Sequence, residues 1–151
     1  MITIDELKVQ LDTKSRLLGI DMGSKRIGVS ICDENRKIAT PYETVQFTNL
    51  NNLISRVKEI ILENNIKGII FGLPLNMDGT EGPSAQSVKD KIKLIEKEII
   101  IPIVLWDERL STVGSFNLSS QLDINVSKRV KNIDQNSATF ILQGVLDFLS
   151  K

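Results

Sequence analysis

Two apolar stretches, residues 17–22 and 27–31, are separated by only the four residues Gly23-Ser-Lys-Arg26. Leu17, Leu18, Ile20 and Met22 give the first the look of a buried strand, and Ile27, Val29 and Ile31 alternate with Gly28 and Ser30 in the second. So short a connector makes an antiparallel hairpin the simplest link, and a third strand is expected over about residues 37–47 after the Asp33-Glu34-Asn35 turn. The period then changes. Leu50, Leu53, Ile54, Val57 and Ile61 follow the spacing of one helical face, ended by Asn64 and Asn65. Residues 68–73 read as a strand covered on both sides, residues 74–82 as a loop, and Pro83 as the first position of a helix with Ala85, Val88, Ile92 and Ile95 on its apolar face. A buried strand is expected over 99–106, a weak helix after Ser111 or Thr112, irregular chain over 119–131, and a closing helix from about Ile133 with Ala138, Ile141, Leu142, Val145 and Leu149 inward. A hairpin-led meander followed by alternating strand and helix predicts an α/β fold. Its mixed sheet combines antiparallel and parallel pairings, with helices on both faces.

Composition bounds the chemistry. The 151 residues make one domain's worth of chain, and 19 Lys and Arg balance 19 Asp and Glu. There is no histidine, and Cys32 is the one cysteine. Histidine bases, Ser-His-Asp and Cys-His triads and nearly every zinc site are thereby excluded. Cys32 reads as a small strand hydrophobe. The longest apolar run, residues 99–106, has eight residues including Pro102, whereas a membrane span needs about 20. Residues 1–15 carry charges at intervals and read as a polar arm without the apolar core of a secretory signal, so a cytoplasmic protein with no membrane partner is expected.

Three acids sit where an element meets solvent: Asp21 in the first strand, Glu108 after the last, and Asp134 at the expected start of the closing helix. Each alone has a structural explanation, Asp134 as a charge favoured by a helix N-terminus. Asp21, however, lies among Leu18, Ile20 and Met22, and a carboxylate there calls for a cation or hydrogen-bond donors. Carboxylates without histidine make a hard, oxygen-only donor set suited to Mg²⁺ or Mn²⁺, and such sites commonly run phosphoryl transfer with two ions.

The spacing of Gly23 and Gly28 mimics a Walker A loop, but Val29-Ser30 follow instead of Lys-Ser/Thr and no helix does, so a tight hairpin is the better reading. Its tip, Lys25-Arg26, is either a solvated turn or a phosphate contact. The Gly72–Gly82 loop, with Asn76 and Gly79, stands at a strand's C-terminal end, where open α/β sheets bind ligands. Net neutrality argues against a nucleic-acid partner. Yet Lys14, Arg16, Lys25, Arg26, Arg109, Lys128, Arg129 and Lys131 cluster near the acids, which suits a polyanion held with a metal.

Four motifs in order, Gly19-Ile-Asp-Met-Gly-Ser-Lys-Arg-Ile-Gly-Val-Ser30, Gly72-Leu-Pro-Leu-Asn-Met-Asp-Gly-Thr-Glu-Gly82, Asp107-Glu-Arg-Leu-Ser-Thr112 and Asp134-Gln-Asn-Ser-Ala138, resemble the signatures of the YqgF family across almost the whole chain. The resemblance implies an RNase H-like nuclease domain over residues 16–151, with Asp21, Glu108 and Asp134 as catalytic, metal-binding acids. Arg109, Lys25, Arg26 and the loop residues Asn76 and Gly79 would hold substrate. It also implies a nuclease processing the 5′ end of pre-16S rRNA, or alternatively a resolvase of four-way DNA junctions. A weakly catalytic nucleic-acid-binding protein with ribosome or transcription partners is the rival from another class. Ser137 stands where the family more usually has Ala, and Gly114 and Ser115 weaken the helix expected after Thr112. The expected partners are pre-rRNA or branched DNA, ribosomal precursor particles, and at most one further copy of the chain, since cutting two strands symmetrically requires a dimer.

Overall fold

A computed structural model describes residues 1–107 and 126–150, with side chains described up to 107 and from 137. The chain runs α1 (Ile4–Gln10), β1 (Arg16–Met22), β2 (Arg26–Cys32), β3 (Ala39–Gln46), α2 (Leu50–Asn64), β4 (Ile66–Leu73), α3 (Pro83–Glu96), β5 (Ile103–Asp107) and α4 (Val126–Leu149). The five strands form one sheet in the order β3-β2-β1-β4-β5. β1 pairs antiparallel with β2, and β2 with β3, whereas β1–β4 and β4–β5 are parallel. The expected mixed sheet is therefore observed, and β1, β4 and β5 all end at one rim.

Strand alternation sorts the core into two layers. Leu18, Ile20, Ile69 and Phe71 point to the side covered by α2 and α3. Leu17, Ile70 and Val104 face α1 and α4, against Leu7, Ile141, Leu142, Val145 and Leu146. α2 begins at Asn49, whose side chain accepts from the Asn52 N–H at 2.9 Å, and ends at Asn65, a left-handed residue (φ 54°). Pro83 stands at the start of α3, where its missing N–H costs nothing.

Two expectations about element boundaries are corrected, and with them the reading of Asp134. Residues 99–102 are not strand: β5 starts at Ile103, since Pro102 has no N–H to give and only its carbonyl is used, by Ile69 at 3.0 Å. Part of the segment read as irregular is helix, because α4 starts at Val126 rather than near Ile133. Val126, Val130 and Ile133 carry the helical spacing forward from the stripe already seen, so local polarity is overridden. Asp134 is thus the ninth residue of α4, and the helix-start explanation of its charge falls away. The helix expected after Thr112 lies outside the described residues.

Residues 1–15, read as a polar arm, contain α1. Thr3 caps it, accepting from the Glu6 N–H at 3.2 Å, and Leu7 is fully buried against Leu17 and Gly68. Ahead of the helix, Ile2 bridges to Val104 and its N–H bonds the Ile103 carbonyl at 2.9 Å, so the segment covers the outer side of β5. At the opposite flank β3 contains Pro41, which brings no N–H to the free edge.

The β2–β3 turn is organised by Asp33, whose carboxylate accepts from the N–H groups of Ile38 (2.9 Å), Lys37 (2.8 Å) and Asn35 (3.3 Å). These bonds, that from Ile38 foremost, hold its pKa below the ordinary 3.8. A depressed carboxylate contributes stability above its unfolded pKa and loses it as pH falls through the folded value. Asp33→Ala is expected to lower the melting temperature at neutral pH, and the difference from wild type is expected to shrink as the pH falls through the carboxylate's titration, as thermal melts across an acidic pH series will check.

Candidate active site

The rim where β1, β4 and β5 end holds Asp21 of the first motif, the start of the second at Gly72 and Leu73, and Asp107, the first residue of the third. Asp21 is the penultimate residue of β1, half-buried, paired through its backbone with Gly28. Gly72 and Leu73 close β4, and Asp107 closes β5 beside Leu73. With neighbouring strands about 4.8 Å apart, β1 and β5 lie roughly 10 Å from one another across β4. Glu108 and Arg109, which follow β5 directly in sequence, lie outside the described residues.

The fourth motif reaches the same rim through a close crossing of α4 over the sheet. Ser30 donates its hydroxyl to the Ala138 carbonyl at 2.8 Å, and lies opposite Gly19 in the β1–β2 ladder. A Cβ on Gly19 would stand 2.4 Å from the Ser30 Oγ, 2.8 Å from the Leu142 Cβ and 3.0 Å from the Ala138 carbonyl, so only glycine admits the helix at this depth. Farther back, Gln143 accepts from the Ala39 N–H at 2.9 Å, and Ala39 pairs with Cys32, one residue beyond the Ile31 that faces Leu18. α4 therefore runs antiparallel to β1. Asp21 lies two residues past Gly19, about 6.6 Å along the strand, and position 134 one turn before Ala138, about 6 Å along the helix axis. One further step of the same register brings these two positions level. The side chain of Asp134 is outside the described residues.

Among the described residues no three carboxylate, cysteine or histidine side chains gather, since two of the three expected ligands are not among them. The donor chemistry is nevertheless defined. The chain has no histidine, and Cys32 is buried at the far end of the sheet, where its sulfur accepts the Leu17 N–H and burial pushes its thiol pKa up. Only oxygen donors are left for the rim, which fits a hard divalent ion and does not fit zinc or copper.

Lys25 and Arg26 are exposed at the β1–β2 turn, whose tightness depends on Gly23: a Cβ there would lie 2.2 Å from the Arg26 carbonyl. Asn76 and Gly79 shape the loop after β4. The Asn76 main-chain N–H bonds the Thr80 carbonyl at 2.8 Å, its side chain bonds the Thr80 hydroxyl at 3.0 Å, and Gly79 takes a left-handed φ of 90°. Sequence reasoning missed the seat formed by Gly19, Ser30 and Ala138. The smallness of those residues is the signal, but they belong together only once α4 is placed.

The family model described as RuvX, Holliday junction resolvase, matches residues 15–148. The chain belongs to the RuvX family. Within it, a protein of Pelagibacter ubique is 63% identical over 150 residues, covering 99% of both chains, and one of Cereibacter sphaeroides is 41% identical, covering 97% of this chain and 92% of that one; both carry the provisional name pre-16S rRNA nuclease. Among solved structures, T. thermophilus RuvC in complex with a Holliday junction substrate aligns with a TM-score of 0.57 at 14% identity, over 87% of this chain and 93% of that one. The fowlpox virus resolvase with Holliday junction DNA aligns at 0.59 and 15% identity, over 90% and 99%. RuvX membership and these alignments bear out the YqgF resemblance and the RNase H-like sheet expected from it. No described helix is long and apolar enough to cross a membrane.

Proposed function

We propose that this RuvX-family chain is a divalent-metal-dependent nuclease that hydrolyses phosphodiester bonds in structured RNA, acting on the 5′ end of pre-16S rRNA. The observation that carries the reading is the α4 crossing at Gly19, which sets position 134 level with Asp21 at the rim where β5 ends. The names of the relatives at 63% and 41% identity support the choice of pre-16S rRNA. Asp21, Glu108 and Asp134 would hold Mg²⁺ or Mn²⁺ as hard-oxygen ligands. Such an ion, when bound, lowers the pKa of a water and neutralises charge on the phosphate. The chain's own residues do the rest. Arg109, Lys25 and Arg26 hold the phosphate backbone, and the loop braced by Asn76 and Gly79 helps to hold the strand.

The family model's description favours a second reading, cleavage of four-way DNA with the same residues. Purified protein is incubated with precursor rRNA and with a synthetic four-way junction, each with Mg²⁺ or with chelator. Faster Mg²⁺-dependent cleavage of the RNA is the expected result. Preference for the junction selects the second reading, and binding of RNA without cleavage of either substrate overturns the nuclease assignment. In cells, depletion is expected to leave 16S rRNA with extended 5′ ends on end mapping, in a cytoplasmic protein meeting ribosomal precursor particles.

A further inference from the structure

Just past Asp21, on the α3 side of the sheet, a cleft of about 280 Å³ opens between the β1–β2 turn and α3. Gly23 and Ser24 form one wall, and Ser84, Ser87 and Lys91 of α3 the other. Met22, Pro83 and Val88 form its apolar floor; the polar part of the lining is hydroxyls and one cation with no carboxylate, whereas the other described cavities each include Asp or Glu. The ammonium and hydroxyls of such a lining offer donors to an anion.

Lys91 is also held in place. Its Nζ stands 5.0 Å from the centre of the Phe47 ring, and the Phe47 N–H bonds the Lys25 carbonyl at 2.9 Å. The ring that carries the ammonium is therefore pinned to the same turn that presents Lys25 and Arg26. On the same helix Lys89 is engaged otherwise, paired with Glu81. A cation resting on an aromatic face keeps its full charge, and the N–H groups turned away from the ring are left for a ligand.

We propose that this cleft binds a backbone phosphate of the nucleic-acid strand, beside the one cleaved, with Lys91, Ser84 and Ser87 as its ligands. The proposal rests on the nuclease reading above. Asp21 belongs to the α4 side of the sheet and the cleft, whose lining begins at Met22 and Gly23, to the α3 side, within about 7 Å of extended backbone. A strand draped over the end of the sheet meets both. Each phosphate held by a lysine adds to affinity and to its salt dependence without reading sequence.

The test measures binding of a fluorescent RNA hairpin with a single-stranded extension, by anisotropy across a KCl series in chelator, where nothing is cut. Lys91→Met is expected to weaken binding about tenfold, the scale of one charge-assisted contact, and to reduce the slope of log K against log salt by about 0.7–0.9. Lys91→Arg is expected to retain the slope, the Ser84→Ala/Ser87→Ala pair to weaken binding without changing it, and Lys93→Met, an exposed cation on the same helix, to match wild type. Wild-type affinity and slope in both Lys91→Met and the serine pair, in a protein that binds RNA and cleaves with Mg²⁺, overturn the cleft while leaving the nuclease reading intact. Failure of the wild type to bind RNA at all overturns both.

Discussion

Replacing Asp21 by Asn is expected to slow phosphodiester cleavage by roughly a hundredfold to a thousandfold, the scale seen when a group that stabilises transition-state charge is removed. Asn matches Asp in size, and the backbone pairing of position 21 with Gly28 does not involve the side chain. The fold should therefore persist, with a melting curve close to that of the wild type. What disappears is one anionic oxygen donor from a rim that has neither histidine nor an accessible thiol to take its place. Single-turnover rates at saturating Mg²⁺, set beside thermal melts, separate the two effects. A variant that cleaves at the wild-type rate would remove Asp21 from the chemistry and with it the reading of the rim as an active site.

Gly19→Ala is expected to damage stability and activity together. The added methyl meets the Leu142 Cβ at 2.8 Å and the Ala138 carbonyl at 3.0 Å, neither of which can swing aside as a long side chain could. α4 must lift from β1, at a cost of about 1–3 kcal/mol for overpacking, or a fall in melting temperature of roughly 4–10 °C for a chain of this length. Asp134 rides on that helix, so the cleavage rate should fall even at temperatures where the variant is folded. Pairing the change with Ser30→Gly removes the 2.4 Å clash with the hydroxyl and is expected to restore part of the stability, the two substitutions being non-additive because they touch. Wild-type melting and wild-type cleavage in Gly19→Ala would show that the helix is not seated as described.

Much of the framework was legible in the residues because local pattern and tertiary role agree. The hairpin, α2, β4 and α3 each have an unbroken apolar period bounded by recognisable ends, such as Asn65 and Pro83. α1 is hard to see in sequence although Thr3 and Glu6 have the spacing of a capping box, since one fully buried side chain, Leu7, is a weak stripe among charges. Hydrophobicity alone extends β5 too far toward residue 99, because it ignores the donor that Pro102 lacks. Within the site, Asp21 was visible as an acid inside an apolar run. Its relation to position 134 was not, because that depends on a hydrogen bond between residues 108 apart, Ser30 and Ala138. The cleft at Lys91 was invisible for the same reason: Phe47, Ser24 and α3 are neighbours only in the folded chain.

The coverings of the two sheet margins have a practical consequence. Ile2 occupies a place alongside β5, and Pro41 interrupts the row of donors along β3, so neither outer strand presents a continuous ladder on which a foreign strand could add. Concentrated solutions should accordingly be slow to nucleate fibrils, and removing the first few residues should shorten that lag by uncovering one flank.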